Sequence, residues 1–286
     1  MFNLGILTDQ ISMDFEKALK ITKECEIKHI EIHALWNKNI EELTDDEIGE
    51  VKKLVTKYGM EVSNISSTLF LQCSLEGSGK SFEKFDDYFI TISGDYQDHL
   101  KALDKCIKLC DVLNTDKVRI FGFRKENALK TETAIEMIAE KIKKPVERAE
   151  QVGITLILEN CPHTYITSGS LTRKVLDYIN SENLKALWDP GNALRKGIIP
   201  YPDDYEKIKG VIAHVHVKDF AASESEHTVP FGKGIINYRG IFKNLIDDNY
   251  DGIVSIEPEY EDEKGGRVES SKQCIHAAKQ LLSSLV

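Results

Sequence analysis

Four short apolar runs in the second half of the chain end in side chains that can hold a cation or move a proton. ITLIL closes on Glu159, LKALW on Asp189, and GIVSI on Glu257, with Glu259 two residues further on. The run GVIAHVHV carries His214 and His216 and leads into Lys218 and Asp219. Each group alone has an ordinary explanation. Asp189 before Pro-Gly can make a turn, and His216 can be a hydrogen-bonded core histidine. Glu159 and Glu257 can pair with a basic group such as Arg119. Together they demand more. Three carboxylates brought to one rim without matching cations repel strongly in a low-dielectric site. A divalent cation removes the conflict. Oxygen donors with one imidazole suit Mn²⁺, Mg²⁺, Co²⁺, Fe²⁺ or Zn²⁺, and the residue types do not choose among them.

The elements that must position these groups follow one rhythm: a short apolar strand, an amphipathic helix, a Gly or Asn, then another strand. FNLGILTD is the first strand, and Phe15, Ala18, Leu19, Thr22 and Cys25 then share one helix face. HIEIH is the second strand. Thr44 and Glu47 have capping-box spacing, Ile48, Val51, Val55 and Tyr58 form the buried stripe behind them, and Gly59 suits the helix end. MEVSNIS is the third strand. Leu100, Leu103, Ile107 and Cys110 line a helix before KVRIFGF, the fourth. A helix over 131–152, kinked at Pro145 and ended by Gly153, leads to ITLILEN, LKALWD, GVIAHVHV and GIVSIEPE. A last helix spans 267–285. Eight strands alternating with helices imply a parallel sheet, most simply a closed α/β (β/α)₈ TIM barrel. A doubly wound sheet is the rival, but no G-x-G-x-x-G follows the first strand. Nothing marks a linker, so one domain is expected over 1–286. Residues 67–94 break the rhythm. They carry Phe70, Phe82, Phe85, Tyr88 and Phe89 and are read as an insertion, a lid or a subunit contact.

In such a barrel the reactive groups lie at the C-terminal ends of the strands. His33 shares a face with Glu31 at the end of the second strand and points to the rim as a substrate contact. Arg119 sits mid-strand, where an unpaired cation is costly, so it should pair with Glu31 or Glu159. Lys218 can meet a substrate oxygen, a negative group, or a neighbour such as Asp219. Lys233, between Gly232 and Gly234, suggests phosphate held by charge and exposed amides, and His227 is expected at the surface.

The composition limits the partners. The 286 residues carry 37 Lys+Arg against 47 Asp+Glu, a net charge of −10, which disfavours a nucleic-acid surface. With 29% charged and 41% hydrophobic residues the chain is globular. No apolar run approaches a membrane span, and MFNLGILTDQ lacks the pattern of an export signal, so a cytoplasmic protein is expected. The six cysteines, at 25, 73, 106, 110, 161 and 274, form no Cys-x-x-Cys pair and are read as free thiols. The apolar loop aromatics make a homodimer plausible.

ILEN, LWDPGN, HVHVKD and GKGIINYRGIFKNLIDDNYDGIVSIEPE, in that order, resemble the sugar phosphate isomerase/epimerase superfamily with its xylose-isomerase-like barrel. The resemblance covers nearly the whole chain and is strongest over 154–286. It implies one divalent metal held by Glu159, Asp189, His216 and Glu257, with the second histidine of His-x-His as the ligand. On the same analogy Glu159 and Glu257 are the catalytic acid/base pair. Three positions depart from the free-ketohexose epimerases: Asn192 stands where those enzymes have His, Tyr165 where they have Glu, and Ala222 where they have Arg. The metal site carries over, and that sugar recognition does not. His33, Asn192 and Lys218 remain as the substrate-binding candidates.

The reaction expected is isomerisation or epimerisation of a sugar, sugar acid or sugar phosphate. It would proceed by proton abstraction next to a carbonyl through an enediolate. His-x-Lys-Asp after the seventh strand also resembles inosose dehydratases, so dehydration of a keto-polyol at the same metal is the alternative. An abasic-site endonuclease is more distant. It needs three metals and more histidines, yet Asn192 replaces one of its ligands and a Glu226-His227 neighbourhood replaces the Asp-x-His expected after the seventh strand. A non-enzymatic sugar-binding barrel is the remaining rival. The expected partner is a small carbohydrate, with no nucleic acid and no membrane.

Overall fold

A computed structural model describes residues 1–77, 89–126, 129–222 and 227–285. Eight strands carry the fold: β1 (Asn3–Leu7), β2 (His29–Ile32), β3 (Glu61–Leu69), β4 (Lys117–Phe121), β5 (Thr155–Glu159), β6 (Leu184–Trp188), β7 (Ile212–Val217) and β8 (Ile253–Ile256). Each pairs in parallel with its sequence neighbours, and β8 pairs with β1 to close the barrel. Helices α1 (Phe15–Glu24), α2 (Asp45–Tyr58), α3 (Tyr96–Leu113), α4 (Thr131–Val152), α5 (Gly169–Ile179), α6 (Tyr205–Ile208), α7 (Tyr238–Asp247) and α8 (Gly266–Ser283) follow the successive strands. This is the (β/α)₈ architecture that the strand–helix rhythm predicts.

The local signals act as their chemistry dictates. Thr44 and Glu47 form a reciprocal capping box at the start of α2, and Gly59 ends that helix in the left-handed region at φ 69°. Gly153 ends α4 in the same way, with Pro145 inside the helix. The apolar stripes of the helices bury against outward-facing strand residues such as Ile120, Leu158 and Val217. The barrel interior is different. Glu31, Ser66, Arg119, His214 and Ser255 are buried polar groups on strands, and hydrogen bonds join them into one network across the inner positions.

The expected insertion begins later than residue 67, because β3 extends to Leu69. Phe70 then turns inward at φ 67° and stacks on Phe123 with centroids 5.0 Å apart. Phe89 packs on Leu71, Phe121 and Cys161. Residues 78–88, 11 of the 28 residues of the proposed lid, lie outside the described residues, and with them Phe82, Phe85 and Tyr88, three of the five aromatics that suggested a dimer. All six cysteines are free thiols. Among the described residues no helix is long and apolar enough to cross a membrane.

Candidate metal centre

Barrel topology brings the four strand-end groups together. Glu159 is the last residue of β5, Asp189 follows β6, His216 lies near the end of β7 and Glu257 follows β8. One ligand atom from each lies within 4.8 Å of the others, and all four residues are buried. The local backbone fixes them further. Asn160 accepts from the Asp189 amide at 2.9 Å and donates to its carbonyl at 2.8 Å. Asp189 Oδ1 caps the turn Pro190–Leu194 by accepting from the Asn192 amide at 2.9 Å. The Glu257 amide donates to the Val217 carbonyl at 3.0 Å, tying β8 to β7 at the rim.

The atoms left over are those a cation needs. His216 Nε2 lies 3.1 Å from both Glu31 carboxylate oxygens, which turns Nδ1 towards Glu257 at 3.5 Å and Glu159 at 3.7 Å. Neither separation is a hydrogen bond, and Nδ1 has no hydrogen-bond partner. Asp189 Oδ2 is likewise buried without a hydrogen bond; Lys218 Nζ is 3.2 Å away, close enough for charge attraction but not aligned to donate. Burial pushes the Asp189 carboxyl up to about 7; Lys218 works against the rise, and Glu257 and Glu159 add to it. Burial also opposes the ionised Glu257, but Lys218 and His216 outweigh it and hold this carboxyl below its ordinary range. For His216, burial opposes the imidazolium, yet the Glu31 and Glu159 carboxylates overcome it and hold the pKa well above the ordinary value. A divalent ion supplies the positive charge that protons otherwise provide here. Three carboxylates and one imidazole therefore fit such a group.

The other sequence candidates divide. Asn192 faces the cavity, and its side-chain amide donates to Glu159 Oε1 at 3.1 Å and to the Asn160 carbonyl at 2.9 Å. Lys218 faces the cavity as well. It donates to Glu257 Oε2 at 2.9 Å and Glu259 Oε1 at 2.6 Å rather than to Asp219. Arg119 pairs with Glu159 Oε2 at 3.1 Å, one of its two expected partners, and donates to the Ser66 and Ser67 carbonyls. His33 is a correction. It does not line the cavity: its ring nitrogens meet Asp9 Oδ2 at 2.9 Å and the Ile90 carbonyl at 2.8 Å. Its ring stacks on Phe89, and Phe89 forms the wall. The second strand ends at Ile32, after a register shift at Ile30/Glu31, so strand alternation no longer aims His33.

The suggested phosphate cradle at Lys233 is also corrected. The amides of Gly232 and Gly234 donate to Asp219 Oδ2 at 3.0 and 2.9 Å, so this carboxylate already fills the place of an anion. Other functional groups escaped the sequence reading. Glu31 is the acceptor that orients His216, and it also accepts from Ser66 at 2.9 Å and lies 2.6 Å from His214 Nε2. A cavity of about 360 Å³ opens above the donor set, and Arg195, Arg267 and Gln10 help to line it. Their approach to the donor set depends on loop paths, which leave no periodic signal.

A family model described as xylose isomerase-like TIM barrel matches residues 19–280. An uncharacterized protein of Methanocaldococcus jannaschii is 38% identical over 120 residues, covering 39% of each chain. The inosose dehydratase of Mesomycoplasma hyopneumoniae is 24% identical over 174 residues, covering 54% of this chain and 56% of the relative. The match thus spans little more than half the length of these curated relatives at most. Among solved structures, the IolI protein with a bound zinc atom superposes with a TM-score of 0.78 at 14% identity, covering 100% of this chain and 99% of that one. An L-ribulose 3-epimerase superposes at 0.70 with 17% identity, covering 100% and 96%. The closed parallel barrel and the family match over nearly all of its length place this chain in the xylose isomerase-like TIM barrel family.

Proposed function

We propose that the chain is a divalent-metal-dependent isomerase or epimerase of a sugar, sugar acid or sugar phosphate. The observation that carries this reading is the buried set Glu159, Asp189, His216 and Glu257, with a free imidazole nitrogen facing two carboxylates. These four residues would hold the ion. When bound, it would polarise a carbonyl and its neighbouring hydroxyl as a Lewis acid, stabilising the enediolate left by proton removal. Glu159 and Glu257 supply the proton chemistry. The ionised one takes the proton from one face of the substrate, and the other, which must start the cycle protonated, gives its proton to the opposite face, so that the two exchange protonation states over one turnover. Lys218 keeps Glu257 ionised and so able to accept. Arg119 fixes the direction of Glu159. Asn192 and Lys218 stand at the cavity wall to meet substrate oxygens. The cavity of about 360 Å³ and the net charge of −10 support a small carbohydrate rather than a nucleic acid as the partner.

Lys218 also supports a second reading, dehydration of a keto-polyol. A buried ammonium beside the proton-accepting carboxylate can hydrogen-bond a departing hydroxyl, and the inosose dehydratase relative has that reaction in its name. The abasic-site endonuclease gains no support from a cavity-facing donor set with one imidazole.

Metal analysis by mass spectrometry after dialysis should find about one divalent ion per chain, absent in Asp189→Ala. The manganese-loaded protein should then exchange a carbon-bound hydrogen of its substrate in heavy water, read by proton NMR across sugars, sugar acids, sugar phosphates and inososes. Exchange with retention of formula supports isomerisation or epimerisation, and loss of water supports dehydration. No ion after loading with manganese, cobalt or zinc defeats the proposal.

A further inference from the structure

The cavity is charged differently from the chain around it. Acidic side chains outnumber basic ones by 47 to 37 overall. Yet the described cavity wall holds Arg119, Lys218, Arg195 and Arg267 against Glu159, Glu257 and Glu259. Arg119 and Lys218 are engaged by the glutamates. Arg195 and Arg267 enter from separate elements. Arg195 follows the turn that Asp189 caps and lies over the Phe220 ring, 5.9 Å from its centre. Arg267 stands in the first turn of α8, with Nη1 3.4 Å from the Asp9 carbonyl. Both make further contacts within the protein, but a guanidinium has five N–H groups and can serve a ligand as well.

With the buried Asp189 and Glu31 added to the wall carboxylates, five acidic groups face four basic ones among the described residues. A divalent ion then leaves the site with a surplus of about one positive charge. Enclosed in a cavity of about 360 Å³, that surplus attracts anions strongly. A neutral polyol leaves it in place, whereas a ligand bearing its own negative group neutralises it. Resting on the proposed metal centre, we infer that the substrate is an acidic sugar derivative. Its carboxylate or phosphate is held by Arg195 and Arg267 at the cavity wall while its carbonyl end faces Glu159 and Glu257.

Binding calorimetry with three matched probes tests this: ribitol, ribonate and ribitol 5-phosphate, each titrated into the manganese-loaded protein and into protein stripped of metal with a chelator. One or both anionic probes should bind at least about tenfold more tightly than ribitol to the loaded protein. Which of the two binds better tells a carboxylate ligand from a phosphate one. The preference should shrink in the metal-stripped protein and at high salt. It should fall to about threefold or less in Arg195→Gln and Arg267→Gln, and partly return in Arg267→Lys, which keeps the charge. Manganese binding to each variant reports that it is folded. Equal binding of all three probes, or a preference that survives both substitutions, overturns the inference while leaving the metal centre standing. Failure of every probe to bind at millimolar concentration overturns it too. Loss of manganese binding by the parent protein instead overturns the reading beneath it.

Discussion

Glu31→Gln should weaken metal binding although residue 31 is not in the donor set. Glu31 is fully buried and faces His216 Nε2 at 3.1 Å, His214 Nε2 at 2.6 Å and Ser66 Oγ at 2.9 Å. Burial opposes its ionised form, but His214 and His216 overcome that and hold its carboxyl well below the ordinary range. As an anion it accepts on both oxygens, which keeps the His216 proton on Nε2 and leaves Nδ1 for an ion. Glutamine has the same shape but one accepting oxygen and no charge. The bond to His216 loses its charge assistance, worth about 1–1.5 kcal/mol, and an N–H must face one of three neighbours. Carried into metal affinity, this is a loss of about tenfold to a hundredfold. The assay is manganese or zinc binding in competition with a chelator at fixed pH, with Ser66→Ala as the comparison. That change removes one of the other two partners without touching His216, and its affinity should stay within about threefold of the parent. If Glu31→Gln binds the ion as tightly as the parent while only its melting temperature falls, then Glu31 merely supports the core and the orienting role is wrong.

Three other outcomes follow from the same geometry. Asp189 holds its proton up to a pH of about 7, above its unfolded value, so the stability this group adds is present in acid and is lost as the pH rises through about 7. An ion must displace that proton. The His216 imidazolium must also give up a proton to an ion, so metal affinity should rise with pH through about 7 and keep rising above it, and a flat profile from pH 5 to 8 would contradict this placement of the protons. Lys218→Met removes the cation shared by Glu257, Glu259 and Asp189. The metal-stripped variant should lose about 3–5 kcal/mol, and its melting temperature should respond more steeply to added manganese than that of the parent. Gly234→Ala places a methyl group 2.1 Å from Asp219 Oδ1 and 2.4 Å from the Phe220 carbonyl. Thermal melting should show a loss of at least about 1–3 kcal/mol, with metal affinity kept in the folded fraction.

What could be read from sequence was whatever strand periodicity controls. Glu159, Asp189, His216 and Glu257 each lie at or near the end of an apolar run of strand length, so placing the strands in a barrel was enough to place the donors on one rim. Arg119 and Glu159 lie on adjacent paired strands, which made their contact foreseeable. Glu31 and His216 are separated by 185 residues and by strands that do not pair. They meet across the barrel interior, where closure and strand tilt set the distance and local pattern leaves no trace. His33 failed for a related reason: the register shift and the end of β2 at Ile32 break the alternation that would have aimed it. The Lys218–Asp219 pair shows the same rule from the other side. Neighbours along an extended chain point to opposite faces, so Lys218 turns to the carboxylates at the rim while Asp219 organises the amides of Gly232 and Gly234. The candidate ion-holding groups are thus fixed by strand ends, but their orientation is fixed by residues one layer deeper. A change at Glu31 or Asn160 is the sharper test of whether the barrel was built around an ion.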